Sequence, residues 1–164
     1  MAPPKDATPS QHTTTPHSAM QNSTTQHTTT LRVRYDECDP MGLVHHSQYL
    51  KYFEIGRTEF FRASGGRYRD VEAAGLFVVV AHIDCRYRAA ARYDDVIEIT
   101  TRITKVTAAK IVHEYQIRRV EEIDNSNLAA DVLVDATVTL AVINRDGQLQ
   151  RVPDELVPAS LIPQ

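Results

Sequence analysis

A single apolar stripe at helical spacing constrains this chain more than any other feature. Tyr49, Phe53, Gly56 and Phe60 recur at i, i+4, i+7 and i+11, and Leu50 and Phe61 widen the stripe. That spacing predicts an amphipathic helix of about four turns. Ser47 stands where an N-cap is wanted, and the run "SGG" from Ser64 to Gly66 is a helix stop. Gly56 in mid-helix costs about 1 kcal/mol against Ala. Its place on the apolar stripe predicts a sheet that approaches closely there. The other periodic segments alternate with period two, so the stripe must be buried by sheet.

The alternating segments read as follows. "LRVRYDE" puts Leu31, Val33 and Tyr35 on one face and predicts a first strand. "LFVVVAHIDCRYR" starts with an apolar run long enough to predict a strand buried on both faces at its start. In "DVIEITTRI", Ile97, Ile99, Thr101 and Ile103 point one way, and Glu98, Thr100 and Arg102 the other. "KIVHEYQIRRV" and "LAADVLVDATVTLAVIN" alternate as well, and "NRDG" is a turn. "VPDELVPASLIP" reads as an irregular end with proline stops. The order is one strand, one long helix, then about four long antiparallel strands, an α+β fold. One helix set against so much sheet must be wrapped by it. Ala129, Asp131, Leu133, Asp135, Thr137 and Thr139 mix apolar and polar groups as a subunit interface would, which predicts a homo-oligomer.

The chain has 164 residues, enough for one domain and a tail. Residues 1–29 are mostly Thr, Ser, Pro, Gln and His and hold too little apolar surface to offset ordering entropy, so they read as a disordered tail. The domain is placed at 30–157, with 158–164 as a C-terminal tail. His12, His17 and His27 read as solvated rather than metal-bound, and the Asn22 "NST" triplet matters only in a secreted chain. A net charge of −3 gives no global pull toward nucleic acid or membrane. No apolar run reaches the roughly 18 residues of a membrane span, and no signal or transit peptide is legible. Two cysteines, Cys38 and Cys85, make no disulfide framework and fit a reduced cytoplasm.

The chemistry concentrates in "YDECDPMGLVHHSQYLKYFE". Asp39 precedes Pro40, and the predicted helix begins eight residues later. The first N–H groups of a helix lack internal partners, and with the positive end of the dipole they can polarise a carbonyl oxygen. A carboxylate facing them makes a minimal acyl-transfer site. The plainer reading is that Asp-Pro before a helix is turn chemistry. Cys38 is a rival nucleophile that His45 or His46 would activate. Neighbours on an extended segment face opposite sides, so Cys38 reads better as a structural thiol. His45, His46, His82 and His113 lack the spacing of a metal site, and no metal is expected.

The run "RYDECDPMGLVHHSQYLKYFEIGRTEFF" resembles the signature of the hotdog-fold acyl-CoA thioesterases of the 4-hydroxybenzoyl-CoA thioesterase type and their Tol-Pal-associated relatives. The family pattern is roughly Asp-x-Asp-x-x-Gly-x-Val-x-[His/Tyr]-x-x-Tyr. Here it meets Glu37, Cys38, Asp39, Pro40, Gly42, Val44, His46 and Tyr49. "ARYDDVIEI" resembles the family's entry to the third strand. The resemblance covers about residues 30–157. It implies a hotdog fold, a long central helix wrapped by an antiparallel sheet of about five strands. Such sheets pair edge to edge in homodimers, often associated into homotetramers. It also implies hydrolysis of an acyl-CoA to a carboxylic acid and free CoA. No cofactor is expected, since coenzyme A is part of the substrate. Asp39 takes the place of the catalytic base or nucleophile, and the His46 backbone N–H that of the carbonyl-polarising donor. Gly42, Val44 and Tyr49 fall at expected substrate contacts, with Gly42 letting the loop backbone approach the ligand.

Some relatives grip the CoA phosphates with a basic cluster in the turn between the third and fourth strands. Here that turn reads "KVTAAK", with only Lys105 and Lys110. Arg86, Arg88 and Arg92 are the cations that could serve instead, and Arg88, Arg92 and the turn's own Lys110 are the expected substrate contacts. Three rivals stay open. A hotdog hydratase or dehydratase typically carries Asp-x-Asn-Pro-x-His, whereas the first histidine here falls six places after Asp39. The others are an acyl-carrier-protein thioesterase and a non-catalytic acyl-binding module.

Overall fold

The computed structural model describes residues 25–121 and 132–161. The expectations for the tail before residue 25, for Asn22, His12 and His17, and for Ala129 and Asp131 lie outside the described residues. The elements are β1 (Gln26–Arg32), a 3-10 turn at Tyr35–Glu37, α1 (Gln48–Ala63), α2 (Tyr68–Ala73), β2 (Leu76–Tyr87), β3 (Val96–Val106), β4 (Lys110–Glu121), β5 (Val132–Asn144) and β6 (Leu149–Gln150). The strands form one antiparallel sheet in the order β1-β3-β4-β5-β2, with β6 paired to β5. This is the wrapped-helix hotdog order. The sheet has six strands where about five were expected, because the two-residue β6 joins it.

Period-two burial selects the inner face. Ile97, Ile99, Thr101 and Ile103 of β3 are buried, as are Ile111, His113, Tyr115 and Ile117 of β4. Against them α1 buries Tyr49, Tyr52, Phe53, Gly56, Phe60 and Phe61. Gly56 sits where the helix meets the sheet: an added Cβ would stand 2.5 Å from Thr101 Oγ1 and 2.9 Å from Ile99 Cγ2. Leu50, expected on the buried stripe, is 42% exposed, since it lies about 100° round the helix from Tyr49.

Several boundaries differ from expectation. The first strand is Gln26–Arg32 rather than one starting at Leu31. Its register runs from Gln26↔Arg102 to Arg32↔Val96. Residues 26–29 therefore belong to the folded domain and not to the tail: the ladder with β3 satisfies their backbone, which local composition does not reveal. His27 faces inward, its ring stacked on Phe60 at 6.3 Å between centroids. Tyr35 is 80% exposed because the chain has already left the sheet for the 3-10 turn. β2 is not buried on both faces, since it is the sheet's edge strand, and Val80 is 53% exposed. α2 was not expected; it buries Val71, and Tyr68 packs on Phe61 at 4.8 Å. The C-terminal segment is more closely packed than its prolines suggested. Val152, Leu156 and Val157 are buried, Val152 N–H donates to Ala108 O at 2.8 Å, and Leu161 packs on the core beyond the expected boundary at 157.

Candidate active site

Asp39 opens a three-residue hairpin loop. Its N–H donates to Leu43 O at 2.8 Å, Gly42 N–H donates to Asp39 O at 2.9 Å, and Cys38 and Val44 face each other in an antiparallel bridge. Gly42 has φ +74 with open space around its missing Cβ. Glycine is therefore required for the left-handed turn position. Asp39 Oδ1 accepts N–H bonds from Met41 at 2.8 Å and Leu43 at 3.4 Å. That is turn chemistry. It occupies one oxygen only; among the described residues Oδ2 has no hydrogen-bond partner.

The helix start is built from the next residues. Ser47 is the N-cap, but its side chain makes no cap bond; its hydroxyl pairs with His45 Nδ1 at 2.8 Å. Gln48 N–H donates to His45 O at 2.9 Å. The His46 carbonyl accepts the Tyr87 hydroxyl at 3.1 Å, and its ring lies 4.1 Å from that of His45. Among the described residues the His46 N–H has no acceptor. It is an open donor at the positive end of α1.

One stretch of chain supports both parts. Val44 N–H donates to Ala91 O at 2.9 Å, Ala91 N–H donates to Tyr49 Oη at 3.0 Å, and Leu43 bridges Arg92. Residues 87–92 thus hold the Asp39 loop and the His46 turn to one scaffold. Val44 and Tyr49, expected as substrate contacts, are both buried and act as these struts. Sequence reasoning missed two further supports. Buried Glu37 accepts Arg34 N–H at 2.7 Å and the Tyr52 hydroxyl at 2.8 Å, and its carbonyl accepts His45 N–H at 2.9 Å. Burial first, then Glu37, pushes the Tyr52 phenol pKa up and keeps it a donor. The other is Tyr87, whose pKa is pushed up to about 12, chiefly by partial desolvation and then by Cys85. Glu37 was legible as an acid at the first motif position; Tyr87 carries no local signal.

The expected cations do not converge. Arg92 is exposed beside Leu43, next to the loop. Arg88 lies on the outer sheet face, paired with Asp135. The Asp135 carboxyl is held below its usual range by the Gln116 amide and by Arg88 and Arg86. Lys110 begins β4 beyond the far end of β3, roughly 30 Å along the strand from Arg92. Within one chain Lys110 and Arg92 cannot share a nucleotide, a correction that follows from the β3–β4 hairpin. Burial raises the Cys38 thiol pKa, which disfavours the thiolate a nucleophile needs. His82 is exposed on the edge strand and His113 is buried in the core.

An open carbonyl-polarising donor and a half-engaged carboxylate on one scaffold can act on an activated acyl group. Comparison with known proteins agrees. The family model of the thioesterase-like superfamily matches residues 33–159. The acyl-CoA thioester hydrolase YbgC of Escherichia coli is 33% identical over 91 residues, covering 56% of this chain and 68% of that protein. A crystal structure from Bartonella henselae, described as a probable thioesterase, superposes with TM-score 0.69 at 33% identity, covering 78% of this chain and 99% of that one. A 4-hydroxybenzoyl-CoA thioesterase structure shares the fold at TM-score 0.70 and 20% identity, covering 85% of this chain and 97% of that one. With its motif, its wrapped helix and these matches in agreement, the chain belongs to the thioesterase-like superfamily.

Proposed function

We propose that this protein hydrolyses acyl-CoA thioesters to a carboxylic acid and free CoA. The observation that carries the reading is the pairing of a free Asp39 Oδ2 with an open His46 N–H on the scaffold of residues 87–92. The name of the related YbgC protein supports the substrate class. The thioester carbonyl oxygen accepts the His46 N–H. Asp39 then takes a proton from water as the water oxygen adds to the carbonyl carbon, or its carboxylate adds directly and water later cleaves the anhydride. In either route the C–S bond breaks, and CoA leaves as a thiolate that takes up a proton. The N–H holds the developing oxyanion.

No cofactor enters this scheme, because coenzyme A arrives with the substrate. Arg92 beside the loop and Arg88 on the neighbouring face are the cations best placed for its phosphates. The edge strand β2, with Val80 and Tyr87 exposed, is the surface on which we expect a second copy to pair, giving a homodimer or homotetramer. Among the described residues no helix is long and apolar enough to cross a membrane. Two free cysteines suit a cytoplasmic setting.

Asp39→Asn tests the chemistry cleanly. Asn keeps the Oδ1 acceptor that Met41 and Leu43 use, so the loop is retained while the charge is lost. Thiol release should fall about 10²–10⁴-fold in kcat across short, long and aromatic acyl-CoAs, with circular dichroism unchanged. Near-wild-type turnover would sink the assignment. Cys38→Ser should keep most activity.

A further inference from the structure

A cavity of about 310 Å³ lies between α1 and the β5–β2 side of the sheet. That volume is at the lower end for small-molecule pockets. Its walls are mainly apolar, with Leu50 and Phe53 from the helix facing Ile83 and Leu140 from the strands, and Lys51 and Glu54 also line it. It begins at Leu50, one helical turn past His46. It also reaches Arg57 and Tyr115, where the chemistry changes.

Among the described residues Tyr115 Oη is buried and has no hydrogen-bond partner, and the same holds for the two orphans that follow. Its strand neighbours repeat the pattern. Thr101 stands directly opposite Tyr115 in the β3–β4 register, and Thr101 Oγ1 is buried without a partner. His113 stacks on Tyr115 at 5.9 Å, and its Nδ1 is buried without a partner. Each such orphan is destabilising, because it gives up its bonds to water and gains none in exchange. Phe, Val and Leu would fill the same space without that cost. Arg57 borders this cluster with a side chain only 12% exposed, set over the Tyr68 ring at 5.0 Å and 3.4 Å from Glu54. A guanidinium has five donors, so those contacts leave others for a ligand.

We propose, resting on the hydrolase reading above, that this cavity holds the acyl chain and that Tyr115 and Arg57 select chains carrying an oxygen acceptor at the far end. Length sets the class. Arg57 is eleven residues past His46, about 16 Å along the helix axis. An extended chain advances about 1.3 Å per bond, as the Cα spacing over three bonds shows. A dodecanoyl chain with an ω-hydroxyl or ω-carboxylate therefore spans the distance from the His46 N–H to Arg57, which lines the same cavity as Tyr115. A site built to bond a substrate oxygen rejects the analogue that lacks it, because its own polar groups are then left orphaned.

The test compares dodecanoyl-CoA with ω-hydroxydodecanoyl-CoA and dodecanedioyl-CoA. The wild-type kcat/KM should favour an oxygen-bearing chain by about 10-fold or more. In Tyr115→Phe the preference for the ω-hydroxy chain should fall to about one. Arg57→Met should weaken the carboxylate arm more than the hydroxyl arm, with thermal melting confirming that both variants fold. A wild-type ratio of one or less, or an ω-hydroxy ratio that survives in Tyr115→Phe, overturns the proposal. Calorimetry on Asp39→Asn separates it from the hydrolase reading. Tighter binding of the ω-hydroxy chain without any wild-type turnover would uphold the pocket and overturn the chemistry.

Discussion

Gly56→Ala sets two effects against each other at the contact between α1 and β3. In an exposed helix interior this change gains about 1 kcal/mol. Here the new methyl would stand 2.5 Å from Thr101 Oγ1 and 2.9 Å from Ile99 Cγ2. Both neighbours are 0% exposed and flanked by strands, so neither can swing into solvent. Either α1 must lift or β3 must bow. Overpacking of this kind costs about 1–3 kcal/mol, and two contacts at once put it near the upper end. The net expectation is a loss of about 1–2 kcal/mol, read by urea unfolding as a lower midpoint at unchanged slope. Thr101→Ala removes the nearer obstacle. In that background the same Gly56→Ala change should cost about 1 kcal/mol less, a coupling that a double-mutant cycle measures. Turnover should fall with the loss of packing, because lifting α1 moves the His46 donor away from Asp39. A Gly56→Ala variant as stable as wild type would refute the close approach.

Three other outcomes follow from particular residues. Burial, and then the Arg57 charge, lowers the His113 pKa from 6.5 to about 3. The unfolded chain therefore binds a proton that the folded chain refuses, and stability falls as pH drops from about 6.5 toward 3. The slope is up to about 1.4 kcal/mol per pH unit, so moving from pH 7.5 to pH 5 should cost wild type about 2 kcal/mol more than His113→Leu; equal losses would count against it. Removing residues 1–24 should leave melting and turnover nearly unchanged, whereas removing 1–28 strips the pairs of Gln26, His27 and Thr28 with β3 and should lower the melting temperature by several degrees. Identical melting curves for the two truncations would contradict the β1 register. His46→Ala keeps the backbone donor and should be milder than Asp39→Asn, while His46→Pro deletes it and should cost about 10²–10³-fold in kcat once circular dichroism shows the fold intact. An alanine variant as inactive as Asp39→Asn would make the imidazole a catalytic acid or base.

What was legible in the sequence was what period alone decides. The α1 stripe and the alternation of β3 each report a local face, and both lie where the spacing puts them. β1 was misplaced because "QHTTTLR" continues the Thr-rich text before it, and only the pairing with Arg102 to Val96 makes it a strand. β2 was read as doubly buried because its composition is apolar, but its place at the sheet edge follows from strand order. Val44 and Tyr49 belong to a motif that sequence reads as contact, and their bonds to Ala91 in the 87–92 segment show only in the fold. Lys110 was grouped with Arg88 and Arg92 by charge, and the length of β3 separates it from Arg92. Asp39 was posed as either turn former or reactive carboxylate. Its two oxygens let it be the first while leaving the second open.

The pairing of β1 with β3 also orders events at the ribosome. Gln26 must wait for Arg102 before it has a partner, and β5, which seats β2 in the sheet, ends only at Asn144. At about 5–20 residues per second, the strand that begins the domain emerges several seconds before its neighbour exists. Until β5 follows, the Tyr87 that holds the His46 turn has no strand to seat it. Tyr87 pairs with Val134, so no nascent fragment short of residue 134 can carry the assembled site, and activity should switch on in a single late step instead of growing with chain length.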